Sequence, residues 1–134
     1  TGFWNDEAVE AKRQGIPLRV FKVDEFGAPR YPELVLTTTR KELEAEPELV
    51  EDMVQATTEG YEFTEKNPSK ALDDLIAANP SLEKDDTEAQ LNVLLPALHP
   101  EPFKEPVLKE WAAWATSHEL LPKPLDVKSA FDLG

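Results

Sequence analysis

The sequence predicts an α/β fold that gives way to a helix-rich C-terminal region, and three observations carry the prediction. Residues 18–23 and 33–38 are runs of apolar and β-favouring residues bounded by turn signals. Gly2-Phe3-Trp4 reads as the end of a buried strand that leads straight into a helix. From Thr39 onward apolar residues recur at helical spacing, with prolines placed at segment starts. The order is β-α-β-β followed by helices.

Each element has its own signal. Residues 5–15 carry Asn5 as a cap, acids in the first turn, Lys12 and Arg13 in the last and Gly15 as a stop, which predicts a short helix. After Pro17, Leu18 and Val20 alternate with Arg19, Phe21 and Val23 in a two-sided strand pattern. Residues 24–32 hold Gly27, Pro29 and Pro32 and form a loop. Glu33-Leu34-Val35-Leu36-Thr37-Thr38 is the clearest strand. Thr39 with Glu42 is a capping-box pattern, and Pro47 opens a helix whose Leu49, Val50, Met53, Val54 and Tyr61 share one apolar face. Asn67-Pro68 starts another, with Ala71, Leu72, Leu75 and Ile76 inward, and Asn79-Pro80 closes it. Asp86-Thr87 caps a helix carrying Leu91, Val93, Leu94 and Leu95 that stops near Pro96 to Pro100. Pro106 opens the last, with Val107, Leu108, Trp111, Trp114 and Ala115 on one side, ended by Pro122. The tail 125–134 is weakly patterned.

Composition removes several function classes. Against 14 Lys and Arg stand 27 Asp and Glu, a net charge of −13 that repels phosphate backbones and anionic membranes, so no nucleic-acid partner is expected. The absence of cysteine excludes disulfides, thiolate metal sites and cysteine nucleophiles. His99 and His118 stand without a nucleophile elbow around any serine. Neither HxxxH, an EF-hand, GxGxxG nor a P-loop occurs, and Asp73-Asp74 and Asp85-Asp86 read as solvated helix residues and caps. No catalytic residue, metal site or cofactor is expected. No apolar run has the length of a membrane span, and the first residues lack the basic start and apolar stretch of a secretion signal, so any leader is expected upstream or already removed.

Binding chemistry remains. Phe3, Trp4, Asn5 and Glu7 crowd one strand-to-helix turn, with Phe26 and Tyr31 in the later loop. Flat rings at such a turn can stack on a heteroaromatic ligand for roughly 0.5–1.5 kcal/mol beyond area burial. Plainer readings stand beside this one. One of Phe3 and Trp4 belongs in the core, Asn5 caps its helix, Glu7 favours the positive helix end, and Tyr31 before Pro32 stiffens a turn. Trp111 and Trp114, at helical spacing, read as packing.

At these residues a resemblance emerges. Gly2-Phe3-Trp4-Asn5-Asp6-Glu7 and the run from Asp24-Glu25-Phe26-Gly27-Ala28-Pro29-Arg30-Tyr31-Pro32 into Leu36 resemble two linked motifs of the ThiY-like solute-binding proteins. Glu46-Pro47-Glu48-Leu49-Val50, Gly60-Tyr61, Asn67-Pro68 and Ala78-Asn79-Pro80 are similar to the wider group of sulfonate, nitrate and riboflavin-precursor binders. The resemblance implies part of a two-lobe periplasmic-binding-protein type II fold. Residues 1–23 would end the second lobe, 24–32 form the interlobe crossover, and 33–134 the C-terminal part of the first lobe, with the N-terminal lobe sequence absent. It also implies a non-catalytic, extracytoplasmic component, periplasmic or lipid-anchored at the cell surface, of an ABC importer for a thiamine pyrimidine precursor or similar nitrogen heterocycle. Its partners would be the heteroaromatic ligand, an ABC permease and the remaining N-terminal part of the protein, with the membrane reached only through the permease or an upstream lipid anchor. In pyrimidine-binding members the residues at the positions of Phe3 and Glu7 contact the ligand ring and its amino group; here Phe replaces Tyr, removing one hydroxyl. Two alternatives stay open: a pyrimidine-precursor biosynthetic enzyme of the same fold, whose cysteine-rich motif this segment lacks, and a helical interaction module.

Overall fold

In the computed structural model, which describes residues 1–98 and 102–133, every regular element is helical. The chain runs through α1 (Glu7–Arg13), a 3₁₀ turn (Val23–Phe26), α2 (Arg40–Ala45), α3 (Pro47–Lys66), α4 (Pro68–Ala78), α5 (Lys84–Leu94), a second 3₁₀ turn (Leu95–Ala97), α6 (Glu105–Ser117) and α7 (Val127–Ala130). Among the described residues there is no β-strand. The strands expected at 18–23 and 33–38, and the strand end at Gly2-Phe3-Trp4, are therefore corrected, and the helical half of the expected α/β layout is what forms. The physical reason is pairing: strand N–H and C=O groups are satisfied by a neighbouring strand, and these segments meet none. Leu34, at φ 59, also turns the 33–38 run into the left-handed region near its start.

Helix boundaries follow local chemistry closely. α1 ends as its Gly15 foretells: Gly15 (φ 71) donates to Lys12 O at 3.1 Å, and Ile16 to Ala11 O at 2.9 Å, a Schellman closure. Its N-cap is Asp6 rather than Asn5, and the Asp6 side chain makes no capping bond. Thr39 Oγ1 accepts from Glu42 N at 3.1 Å, so the capping signal at α2 is realised. Pro47 and Pro68 each stand at the start of their helix. α5 begins at Lys84, before the expected Asp86 cap, placing Asp85 and Asp86 in a first turn that favours negative charge. α6 closes in a Schellman arrangement around Glu119 at φ 60, with Leu120 N donating to Ala115 O at 2.9 Å. His99 lies outside the described residues. α7, unread in the sequence, starts where the Asp126 carboxylate accepts from Lys128 N at 3.2 Å.

The chain divides into two units. One comprises Thr1–Val20 and Leu36–Pro100 and contains α1 to α5. Within it α4 packs on α3 and α5, with Leu72 buried and Ala71 and Ile76 half-buried as expected of the inward face, while Leu75 is exposed, which corrects its inward reading. Lys84 Nζ and Asp73 Oδ1, 2.5 Å apart, tie α4 to α5. The apolar face expected of α3 is corrected in part: Leu49, Met53 and Val54 are exposed, and Val50 and Tyr61 half-buried. The other unit comprises Phe21–Val35 and Glu101–Gly134. Its core joins Leu108 and Ala112 of α6 to Val127 of α7, with Phe103, Trp111, Phe131 and Leu133 packed around them. Phe103 and Phe131 meet edge to face at 5.3 Å.

Candidate functional site

The turn entering α1 is held by its own backbone. The Phe3 carbonyl accepts from Asp6 N at 3.3 Å and from Ala8 N at 3.4 Å, while Phe3 N–H donates to Glu7 Oε2 at 2.6 Å. Both backbone polar groups of Phe3 are thus satisfied within five residues of chain, which holds the backbone from which the ring projects. A Cβ on Gly2 would lie 3.1 Å from Glu7 Cδ and Oε2, so a larger residue there would crowd the carboxylate. Glu7 sits below the usual carboxylate range because its own backbone amide, and then that of Phe3, donate to its charged form.

The side chains of this turn face outward. Phe3 and Trp4 are 41% and 37% exposed, which corrects the reading that one of the two is core; without a strand there is no inward side for either to occupy. Asn5 is half-buried. Two side chains of α5 reach the same segment. Gln90 Nε2 donates to Asp6 Oδ1 at 2.5 Å, and Arg13 Nε pairs with Asp86 Oδ1 at 2.5 Å. Asp6 meets the later, Arg13 the earlier of the two α5 positions, so the helices run antiparallel with a polar tie near each end of α1.

Tyr31 stands in the other unit, its ring tilted 42° against Trp111 at 5.8 Å. Its loop is shaped by Gly27 at φ 100 and by an ion pair between Arg30 Nε and Asp24 Oδ2 at 3.0 Å. Trp111 is half-buried against the α6 core, as its helical spacing foretells. Trp114 stacks on His118 at 4.3 Å, and His118 Nδ1 lies 2.9 Å from the Trp114 carbonyl at the end of α6. Of the five residues read as a site, Phe3, Trp4, Asn5 and Glu7 therefore share one turn, and Tyr31 has an aromatic neighbour of its own. Asp86, Gln90 and Trp111 escaped the sequence reading as neighbours of these residues, since nothing local marks a partner so far along the chain.

Shallow apolar grooves elsewhere among the described residues are built from other side chains. One of about 350 Å³ involves Phe63, Leu72, Leu75 and Leu91, and one of about 410 Å³ involves Ala112, Thr116, Leu125 and Val127. Among the described residues no group of three His, Cys, Asp or Glu could hold a metal ion, and no helix is long and apolar enough to cross a membrane.

A family model described as NMT1/THI5 like matches residues 1–71, just over half of the chain. The chain belongs to the NMT1/THI5-like family. The matched stretch takes in all five candidate residues, and the membership bears out the resemblance to ThiY-like proteins seen in the two N-terminal motifs. This NMT1/THI5-like chain is also 29% identical over 136 aligned positions to the formylaminopyrimidine-binding protein of Halalkalibacterium halodurans. That alignment takes in 95% of the chain and 41% of the relative, so the chain spans about two fifths of the relative's length. No solved structure matches the chain.

Proposed function

We propose that this NMT1/THI5-like chain is part of the substrate-binding component of an ABC importer, acting outside the cytoplasm on a small nitrogen-containing aromatic compound such as a thiamine pyrimidine precursor. The observation that carries the proposal is the alignment of nearly the whole chain with a formylaminopyrimidine-binding protein. The Phe3–Glu7 turn supplies fitting chemistry. Phe3 and Trp4 offer accessible ring faces for stacking. The Glu7 carboxylate, already oriented by the Phe3 amide, keeps acceptor capacity for an exocyclic amine, because an ionised carboxylate has about four lone-pair sites. Asn5 supplies a further polar contact at the same turn, and no covalent step is required.

In this reading residues 1–23 close the second lobe, 24–32 cross between lobes, and 33–134 complete the first lobe. The N-terminal part of the same protein supplies the rest of both lobes, and a permease receives the ligand. The exposed apolar residues of segments 18–23 and 33–38 fit that arrangement, being side chains suited to a half-buried pleated surface.

The test is titration of the complete protein with formylaminopyrimidine, followed by intrinsic fluorescence and thermal midpoint. Saturable binding and a raised midpoint are expected, without turnover of the ligand. Glu7→Gln weakens binding about tenfold to a hundredfold, the range of a hydrogen bond to a charged group. Wild-type protein that shows no response to formylaminopyrimidine or to any related aminopyrimidine would sink the proposal.

A further inference from the structure

α1 is only seven residues long, a length at which an isolated helix is not stable in water, and it has no buried residue of its own. Something outside the helix must hold it, and with it the turn that carries Phe3, Trp4 and Glu7. The two ties to α5 bracket it: Gln90 on the N-cap residue Asp6, next to Glu7, and Asp86 on Arg13 in the last turn. They join positions 84 and 73 residues apart, and α5 lies beyond the stretch 1–71 that the family model matches.

We infer that Asp86 and Gln90 are positioning residues for the ligand-contacting turn, setting from α5 where the Phe3 and Trp4 rings and the Glu7 carboxylate stand. This rests on the proposed function for what the turn contacts, but not for the tie itself. Each bond is solvent-exposed and singly weak, so each should change affinity modestly rather than abolish it. The pair acts at the two ends of a seven-residue helix, so loss of either leaves the turn pivoting about the other.

The closing experiment uses three alanine variants of the complete protein. Asp86→Ala and Gln90→Ala remove the two ties. Asp73→Ala removes the comparable exposed pair with Lys84, which joins α5 to α4 and touches nothing in the turn. With formylaminopyrimidine as probe, the first two should each weaken binding about two- to fivefold, Asp73→Ala should leave it unchanged, and Asp86→Glu, which keeps the carboxylate, should restore it. Equal loss in all three variants, or no loss in the first two, overturns the inference while leaving the ligand assignment intact. Should wild-type protein fail to bind, the ligand assignment falls and amide hydrogen exchange decides the tie. Residues 3–13 should then exchange faster in Asp86→Ala and Gln90→Ala than in Asp73→Ala or wild type, and equal exchange in all four overturns it.

Discussion

The Glu7 carboxylate illustrates how one residue serves two demands. Hydrogen bonds from its own backbone amide, and then from the Phe3 amide, stabilise the charged form, so its folded pKa lies below the ordinary value. The sign follows directly: this contribution to the turn is complete above the ordinary carboxylate pKa and is lost as pH falls through the depressed folded value. The Phe3 amide resonance should accordingly titrate with a midpoint below that of an unperturbed glutamate, and a midpoint at the ordinary value would mean the bond is not populated. Glu119 poses the opposite case. It occupies the left-handed position that closes α6, where a side chain is penalised by roughly 1–2 kcal/mol and glycine is not. Glu119→Gly should raise stability by about 0.5–1 kcal/mol after glycine's greater unfolded-state entropy is set against that strain, read from urea denaturation. At this scale the sequence was legible where a residue type has few uses: Gly15 announced its left-handed stop, while nothing in a glutamate announced the same geometry at 119.

Helices were the most legible elements, because their hydrogen bonds close within four residues and their ends are marked by side chains close at hand. Thr39 at α2 is the clearest instance. Thr39→Ala removes the acceptor for Glu42 N and should destabilise the chain by about 1 kcal/mol, measurable as a lowered urea midpoint with helicity lost between residues 40 and 45. Thr39→Ser should keep most of it. The segments 18–23 and 33–38 failed for the complementary reason. Their side chains state a preference for a pleated, half-covered surface, but a strand exists only with a partner, and partner identity is not written into a run of six residues. α7 was missed because a single turn has no room for periodicity, although Asp126 ahead of Val127 was its cap in plain view.

Over the whole molecule, charge and apolar surface pull in different directions. The net charge of −13 repels itself, and part of it lies on α3, where Glu48, Glu51, Asp52, Glu59, Glu62 and Glu65 stand against Lys66 alone. Raising ionic strength from about 10 mM to about 150 mM shortens the screening length from about 30 Å to about 8 Å and should raise the thermal midpoint. A midpoint that falls with salt would show instead that exposed pairs such as Arg13 with Asp86 outweigh the self-repulsion. At the same scale, Leu18, Val20, Leu36, Leu49 and Met53 remain exposed beside a small buried set led by Leu72 and Leu108.

The sequence by itself determined the positions of α1 to α6, the family through its N-terminal motifs, and the clustering of Phe3, Trp4, Asn5 and Glu7 in one turn, since all of these are set by neighbours within a few residues. Only the tertiary structure decided that both rings of that turn face outward, that Tyr31 rests on Trp111, and that α5 reaches back to hold α1. Those outcomes depend on groups separated by tens of residues, whose meeting is fixed by how helices pack and which polar ends come within hydrogen-bond reach, and no local pattern records that.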